Sequence, residues 1–251
     1  MFEGLGKRLR AYAEKDGRGY PDWAVRYMPL VRWLERRPLA RERILEIGAN
    51  ENGFARFARV KTIAADREPG HVRAARETQP IMPVAASIDA LPFASGAMDV
   101  CVCVDTFEHL PDALRGPAIE EILRVLKPSG EAVVAFPSGD AAAEAERRIR
   151  EAHAAYAGET LSWFEEHLDN GLPDASTVAG MFEQAAGGRR VIEQGKNGSL
   201  AVWRAMWHVL LCGWPGRGNA AFQALLRFFT PLLTRIHLGA CYRAVIWVKP
   251  E

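Results

Sequence analysis

The chain has 251 residues, of which 49% are hydrophobic and 25% are charged, and this apolar content is enough to bury the core of one large domain. Its 32 basic and 31 acidic side chains leave a formal net charge of +1, so the basic excess typical of nucleic-acid-binding proteins is absent and no nucleic-acid partner is expected. The four cysteines lack the spacing of a disulfide framework or a zinc site, which favours a reduced environment.

The N-terminal segment, residues 1–42, is predicted to be a helical cap. Its first twenty residues lack the apolar stretch of a secretory signal, so we expect a cytoplasmic location. Asp22 to Arg36 carries apolar and aromatic residues at helical spacing. Tyr20 and Trp23 are candidate lid residues over a bound molecule, and packing of these aromatic rings on the sheet is the ordinary alternative.

The most informative stretch reads ILEIGANENGF, an apolar strand that ends at Ile47 and leads into a loop. The loop has the pattern Gly48-x-Asn50-x-x-Gly53, in which small side chains allow a ligand to approach the backbone closely. Asn50 stands where glycine is usual, and Asn is the best non-glycine residue where a positive φ is needed. We expect a helix over Phe54 to Val60, with its N-terminal amides directed at the site.

Asp66 lies twenty positions after Glu46, at the end of a second apolar strand. In a parallel sheet the two strand ends lie side by side, so Asp66 would present its carboxylate to a ribose diol. This spacing suits a dinucleotide equally well. Glu46 and Glu51, however, lie before and within the loop and would repel a pyrophosphate. A ligand that carries a sulfonium and an ammonium group suits such acidic surroundings better, and S-adenosylmethionine is that ligand.

Strand and helix patterns alternate through the central part of the chain. Continuous apolar strands separated by amphipathic helices predict a parallel sheet covered by helices on both faces. Lys127 to Gly130 is predicted as the turn before the fifth strand. Ligands of such sheets bind beyond the carboxyl ends of the strands. The predicted elements are strands at 43–47, 61–65, 81–86, 99–104 and 131–136, and helices at 54–60, 69–77 and 116–125.

The last part of the chain predicts two further helices, at 141–156 and 177–186, and two strands, at 189–193 and 242–249. Between these strands, residues 200–240 form an apolar insertion with two helical stretches, Leu200 to Trp214 and Ala221 to Leu238. Arg204 and His208 interrupt the first stretch, and Arg227, Pro231 and Arg235 interrupt the second, which argues against a membrane span. Three interpretations stay open: packing on the sheet or on a second subunit in a homodimer, a lid over a bulky apolar substrate, and shallow docking on a membrane surface.

Four segments, in this order, resemble the class I S-adenosylmethionine-dependent methyltransferases, and particularly the subgroup that methylates small molecules, lipids and sugars. They read ILEIGANENGF, AADRE, ASIDALPFASGAMDVCVCVDTFEHLP and EEILRVLKPSGEAVVAFP, and they cover roughly Arg43 to Pro137. The resemblance implies an α/β, Rossmann-like fold with a seven-stranded, mostly parallel sheet and helices on both faces. Its last strand would be antiparallel, and in this chain the helical insertion precedes that strand.

The resemblance also implies roles for particular residues. By it, Gly48, Asn50 and Gly53 would shape the pocket for the methionine part of S-adenosylmethionine, and Glu46 would stand near its ammonium group. Asp66 would bind the ribose hydroxyls. The residues implied around the adenine are Ser87, Ile88 and Asp89, with Ser87 in a position where the family often has aspartate, and those implied beside the methionyl part are Asp105, Thr106 and Phe107.

A general base is needed only when the acceptor keeps its proton, as a hydroxyl does at neutral pH. His109 follows the fourth strand at the ligand edge and is the candidate base, with orientation of the loop as the alternative. The candidate acceptor-binding residues after the sheet core are His153, Tyr156 and His167, and packing is the ordinary alternative for each. No metal site is expected, because adjacent Glu108 and His109 lack the helical spacing that directs two ligands to one ion.

These observations predict a single domain over residues 1–251 that transfers a methyl group from S-adenosylmethionine to a small-molecule, lipid or sugar acceptor, preferably at oxygen. The expected parts are the cap at 1–42, a cofactor-binding core at 43–137, substrate-side helices and the sixth strand at 138–199, the insertion at 200–240, and the last strand at 241–251. A noncatalytic scaffold or partner subunit that keeps the nucleoside-binding fold is the alternative, and a dinucleotide oxidoreductase is a lesser one.

Overall fold

A computed structural model of the chain describes residues 2–38, 41–214, 216–237 and 239–251. Seven strands form one sheet: β1 Ile44–Ile47, β2 Thr62–Asp66, β3 Ile81–Ala85, β4 Met98–Val104, β5 Leu126–Pro137, β6 Arg190–Ser199 and β7 Cys241–Pro250. Their order across the sheet is β3-β2-β1-β4-β5-β7-β6. The first five strands pair in parallel, and β7 runs antiparallel to both of its neighbours. The predicted Rossmann-like α/β sheet, with its antiparallel last strand, is therefore confirmed.

Ten helices surround or extend from this sheet in the described ranges. They are α1 Phe2–Ala13, α2 Tyr20–Leu34, α3 Phe54–Ala58, α4 Pro69–Thr78, α5 Asp112–Val125, α6 Asp140–Ala157, α7 Ser162–Asn170, α8 Ala175–Ala186, α9 Leu200–Leu210 and α10 Asn219–Leu233. Short 3-10 turns lie at Phe107–His109 and Gly216–Gly218. The sequence patterns did not predict α1 or α7.

The core lies on both faces of the sheet, because successive residues of each central strand point to opposite sides. In β4, Cys101 and Cys103 pack with residues of α5 and α8 on one face. Val100 and Val102 pack with residues of α2 and α3 on the other face. Both thiols are free and buried, which agrees with a packing function in the core.

One predicted turn is wrong: Lys127 to Gly130 belongs to β5, which begins at Leu126. The pairing of β4 with β5 shifts register here. Met98 pairs with Leu126, but Val100, two positions later, pairs with Glu131, which lies five positions after Leu126. A Cβ on Gly130 would lie 2.9 Å from the carbonyl oxygen of Met98. Glycine therefore lets the extra residues lie against β4, and the Pro-Ser-Gly sequence marks a strand irregularity.

Several predicted boundaries also move. The helix expected to run to Val60 ends at Ala58, because Arg59 adopts a left-handed conformation with φ +55°. The second helix of the insertion ends at Leu233, and its predicted end at Leu238 lies outside the described residues, as do Met1, Leu39, Ala40 and Pro215.

The insertion places α9 and α10 between β6 and β7 in the chain. One side of α9 packs into a cluster with α6, α7 and β7, to which Trp203, Met206, Phe164 and Tyr242 contribute buried side chains. Within the described part of the chain, no helix has both the length and the hydropathy that crossing a bilayer requires.

Candidate active site

A cavity of about 310 Å³ lies beyond the carboxyl ends of β1, β2 and β4, where a doubly wound sheet binds its ligands. Seven of the residues implied for the cofactor line it: Gly48, Asn50, Asp66, Ser87, Ile88, Asp105 and Thr106. Four others are not in its lining: Glu46, Gly53, Asp89 and Phe107.

Gly48 is the residue that lets the ends of β1 and β4 come together. Its φ is +77°, and a Cβ at this position would lie 1.8 Å from Oγ1 of Thr106. Asn50 does not have a positive φ, so the expectation of a positive φ at this position is wrong. Its Oδ1 instead accepts a hydrogen bond from the Asn52 amide at 2.9 Å, so a side-chain turn replaces a glycine turn.

Glu46 points under the loop, away from the cavity. Its carboxylate accepts hydrogen bonds from the amides of Phe54 at 2.5 Å and Ala55 at 3.3 Å, the first amides of α3. Gly53 makes room for this contact, since a Cβ there would lie 2.3 Å from Oε1 of Glu46. The prediction that these amides face a ligand is therefore wrong. Burial raises the pKa of Glu46 to about 7, and the two amide hydrogen bonds oppose that rise.

Asp66 ends β2 with its side chain in the first cavity. Oδ1 accepts a hydrogen bond from the Glu68 amide at 2.7 Å and lies 3.2 Å from Nδ1 of His71. His71 and Arg67 line the same wall, and sequence reasoning had not selected either of them. The contacts to Oδ1 fix the direction of the carboxylate.

The remaining residues implied for the cofactor lie further from the cavity. Asp89 accepts a hydrogen bond from the Ser87 hydroxyl, so it positions a cavity residue. Phe107 is fully buried and packs against Phe136 with ring centroids 5.8 Å apart.

Asp105 is held by two arginines at the carboxyl end of β4. Arg243, on β7, donates from Nη2 to Oδ2 at 2.6 Å and from Nε to Oδ1 at 2.7 Å. Nε of Arg26, on α2, lies 3.1 Å from Oδ2, and Arg26 also pairs with Asp22 at 2.7 Å. Burial alone would raise the pKa of Asp105, but Arg243 and then Arg26 hold it below its usual value. Asp105 is therefore an ionised anchor between β4, β7 and α2.

A second cavity, of about 200 Å³, adjoins the first. The two cavities share Asn50, Asp105, His109 and Trp163 in their linings. The second is lined further by groups from α2, α7, α9 and β7, including Arg26, His167, Trp203, Trp207, Tyr242 and Arg243. Two chambers with a common wall suit a reaction between two bound molecules.

His109 lies on that common wall. Its Nδ1 donates to Oε2 of Glu166, on α7, at 2.7 Å, which leaves Nε2 as the ring nitrogen that can accept a proton. Burial lowers the pKa of His109 from its ordinary value, the nearby His167 lowers it further, and Glu166 opposes this shift. The imidazole is therefore neutral at pH 7.

The second cavity contains several buried polar atoms without a hydrogen-bond partner in another described residue. They include both carboxylate oxygens of Glu108, Nε2 of His167, Nε1 of Trp203, Nε1 of Trp207 and Nη1 of Arg243. Burial, and then the nearby Asp105, raise the pKa of Glu108 well above its usual value. Unpartnered buried polar groups are costly, and their concentration at one cavity is typical of a site that binds a polar molecule.

Glu108, His109 and His167 can also supply three metal ligands, since one ligand atom of each lies within 4.8 Å of the others. Nδ1 of His167 lies 3.0 Å from Glu146, as Nδ1 of His109 does from Glu166 at 2.7 Å, and such carboxylate contacts orient ligand histidines. Sequence spacing could not reveal this arrangement, because α7 brings His167 to residues more than fifty positions earlier.

Four of the five predicted acceptor-binding residues line neither cavity; His167 lines the second. The guanidinium carbon of Arg227 lies 4.4 Å from the ring centroid of Tyr20. The guanidinium of Arg56 lies over the ring of Trp23. His153 is buried, with Nδ1 3.0 Å from the carbonyl oxygen of Leu211. Tyr156 is 63% exposed and lies against Gly213.

Known proteins share the central part of this chain. Residues 45–134 match a family model described as a methyltransferase domain. A protein of Mycobacterium sp. strain JLS described as an uncharacterized methyltransferase is 34% identical over 97 residues, which are 37% of this chain and 38% of that protein. One of Mycolicibacterium gilvum, described in the same words, is 32% identical over 99 residues, 37% and 38% of the two chains. The matched part of the chain thus spans less than two fifths of the length of these relatives.

Solved structures share the fold over nearly the whole chain. A Haloferax volcanii complex of the Trm112 methyltransferase activator with a protein assigned as a methyltransferase matches with a TM-score of 0.56, 17% identity and 97% coverage of both chains. A SAM-dependent methyltransferase from Archaeoglobus fulgidus matches with a TM-score of 0.51, 13% identity and coverage of 88% and 93%. The [4+2]-cyclase SpnF matches with a TM-score of 0.55, 15% identity and coverage of 89% and 80%. At these identities the likeness concerns the fold.

Proposed function

We propose that the chain is an S-adenosylmethionine-dependent methyltransferase that methylates a hydroxyl oxygen of a small-molecule, lipid or sugar acceptor. The methyltransferase-domain match over residues 45–134 and the fold support the enzyme class and the cofactor. The observation that carries the proposal is the position of His109, which lines both cavities while Glu166 holds its Nδ1.

The first cavity fits the cofactor. Gly48 leaves the floor of the cavity open, and Asp66 offers a carboxylate oriented through one of its oxygens, as a ribose diol requires. Glu46 occupies the first amides of α3, which a pyrophosphate would need, so the loop does not favour a dinucleotide. When bound, S-adenosylmethionine supplies a methyl group that is activated by its positively charged sulfur.

The second cavity fits the acceptor. Trp163, Trp203 and Trp207 contribute aromatic side chains to its lining, which suits an acceptor with an apolar or ring-shaped part. The same cavity contains polar atoms that have no hydrogen bond to another described residue, among them the carboxylate oxygens of Glu108 and Nε2 of His167, which lies 4.0 Å from Oε1 of Glu108. An acceptor with an apolar or ring-shaped body and hydroxyl groups satisfies both features. In this arrangement residues 43–137 hold the cofactor, and residues from 138 onward complete the acceptor side.

His109 would take the proton of the acceptor hydroxyl. Its Nε2 is the free ring nitrogen, and its lowered pKa keeps the imidazole neutral and able to accept a proton at pH 7. Glu166 would orient the ring and stabilise the imidazolium that forms. Binding the two reactants in adjoining cavities supplies the rest of the acceleration, because it converts a bimolecular encounter into a reaction between positioned groups.

Two experiments test this proposal. In calorimetry, the chain is expected to bind S-adenosylmethionine and its demethylated product, and binding of neither would contradict the enzyme and favour a noncatalytic scaffold. Cell extract is then incubated with the chain and methyl-labelled cofactor. We expect label in an extractable small molecule, with the organic or aqueous phase distinguishing a lipid from a sugar, and label only in protein or nucleic acid would contradict the acceptor class.

A further inference from the structure

Helix α10 buries its polar side and exposes its apolar side, which is the reverse of an ordinary surface helix. Its buried residues are mostly polar: Gln223, Ala224, Arg227 and Thr230. Five of its seven large apolar residues are exposed and show between 40% and 65% of their surface, namely Phe222, Leu225, Phe228, Phe229 and Leu232, whereas Leu226 and Leu233 are half-buried. An amphipathic helix normally buries its apolar side, so this surface indicates a partner that is itself apolar.

Contacts with other elements of the protein hold the inward polar side, although Nη1 of Arg227 has no hydrogen-bond partner among the described residues. Arg227 is buried, pairs with Asp16 and lies over the ring of Tyr20. Arg32, on α2, donates from Nη2 to Oγ1 of Thr234 at 2.6 Å, just beyond the helix. Turning α10 over would bury Phe228 but would break these contacts and expose a charge pair.

The apolar surface continues onto α9. The described residues that line a groove between the two helices are all apolar, and they include Trp214, whose ring lies 5.6 Å from that of Phe222. Ala205 and Val209 supply the α9 side of the groove. The exposed residues therefore form one continuous surface, the α9/α10 surface, made of the groove and the exposed side of α10.

Exposed positive charge lies on the elements that carry this surface and on helix α1 beside them. Residues 200–240 contain four arginines and no aspartate or glutamate, although the whole chain has nearly equal numbers of basic and acidic residues. Arg204 and Arg235 are exposed there. Helix α1, which packs against α10, adds exposed Arg8 and Arg10. Charge is therefore segregated within a chain that is nearly neutral overall.

We propose that the α9/α10 surface docks on an anionic membrane surface, with α10 lying in the interface plane. Phenylalanine, leucine and tryptophan side chains flanked by arginines are the composition of helices that bind such interfaces. Anionic headgroups complement the arginines, and they attract basic segments in a salt-dependent way. A second copy of the chain fits less well, because a twofold dimer would place the acid-free patch against itself and bring like charges together.

Vesicle sedimentation of the full chain tests the proposal. Wild type is expected to sediment with vesicles of phosphatidylglycerol and phosphatidylcholine, and at least tenfold less with phosphatidylcholine alone or in high salt. Leu232→Glu should reduce binding at least tenfold. Leu168→Glu is the matched control, since Leu168 is 52% exposed on α7 and Leu232 is 56% exposed on α10. Equal loss in both variants, or wild type that stays in the supernatant, would overturn the proposal.

Two further measurements distinguish membrane docking from misfolding and from dimerisation. Brominated lipids should quench the tryptophan emission of wild type, and they should quench the emission of Trp214→Phe less. Because the wild-type measurement needs no variant, it tests the proposal even if Leu232→Glu misfolds. An absence of quenching in wild type counts against docking. Light scattering that shows a dimer dissociated by Leu232→Glu, without vesicle binding, would assign the surface to a second copy. Leu232→Glu should keep wild-type affinity for S-adenosylmethionine in calorimetry, so docking and the proposed function fail separately.

Discussion

Asp105 and Arg243 lie 138 positions apart in the chain and form a bidentate ion pair. Nη2 of Arg243 lies 2.6 Å from Oδ2 of Asp105, and Nε lies 2.7 Å from Oδ1. Both side chains are nearly inaccessible to solvent, and Arg26 completes the cluster. The pair fixes β4 to β7 at the wall between the two cavities. The wall between the two cavities therefore depends on a contact between the end of β4 and the last strand.

Asp105→Asn is expected to lower the free energy of unfolding by about 3 to 5 kcal/mol, because it leaves buried arginines without their carboxylate. Asp99→Asn is the matched control on the same strand, since Asp99 pairs with the partly exposed Lys127 and should lose no more than about 1 kcal/mol. Urea unfolding measures both variants. Similar losses would show that the buried cluster adds nothing to an ordinary surface pair.

Asp66→Ala is expected to weaken S-adenosylmethionine binding by about 1.5 to 3 kcal/mol, because a charge-assisted hydrogen bond to the ribose is lost. Calorimetry gives the dissociation constant directly. Asp112→Ala serves as the control, because the Asp112 carboxylate is 84% exposed and does not line the first cavity. An unchanged constant in Asp66→Ala would remove this residue from cofactor binding.

His109→Gln is expected to lower turnover by roughly 100-fold to 10,000-fold, as loss of a general base does, with little change in cofactor affinity. His153→Gln is the control, because His153 is a buried histidine that lines neither cavity. Steady-state kinetics and calorimetry together decide the outcome. Parallel losses of turnover and cofactor affinity would indicate that His109 organises the loop and does not take a proton.

The pH dependence of turnover should follow the imidazole of His109. Only the neutral ring accepts a proton, so turnover should fall as the pH drops through the pKa of His109, which lies below its ordinary value, and should level off above it. Because Glu166 raises this pKa, Glu166→Gln should move the acidic limb to lower pH. An acidic limb that stays in place would separate Glu166 from the titrating group.

Gly48→Ala is expected to weaken cofactor binding at least tenfold and to destabilise the fold. A Cβ there meets Thr106 at 1.8 Å, in addition to the cost of a positive φ. Gly96→Ala isolates the second effect, since Gly96 has φ +66° and a Cβ there would meet no atom within 4 Å. Thermal unfolding and calorimetry measure both. Equal affinities in the two variants would show that the collision is relieved at no cost to the cavity.

Much of the fold could be predicted because its signals are local. The apolar runs that became β1, β2 and β4 are continuous, and the loop after Ile47 contains glycine where close packing demands it. The turn at Lys127 to Gly130 was predicted wrongly, because proline and glycine produce the same sequence pattern in a turn and in a strand irregularity.

The site was less predictable, because its contacts join distant segments. The motif pattern placed Gly48 and Asp66 at the cavity, but local spacing could not show that Arg243 would meet Asp105 or that Glu166 would hold His109. The orientation of α10 was also hidden, since periodicity reveals an apolar side of a helix but not whether the fold buries it.

Helix α9 lies between the second cavity and the outer groove and contributes side chains to both. Trp203 and Trp207 line the second cavity, while Ala205 and Val209 line the outer groove. Because a single helix contributes to both linings, we expect any displacement of α9 by a molecule bound at the groove to move the two indole rings as well.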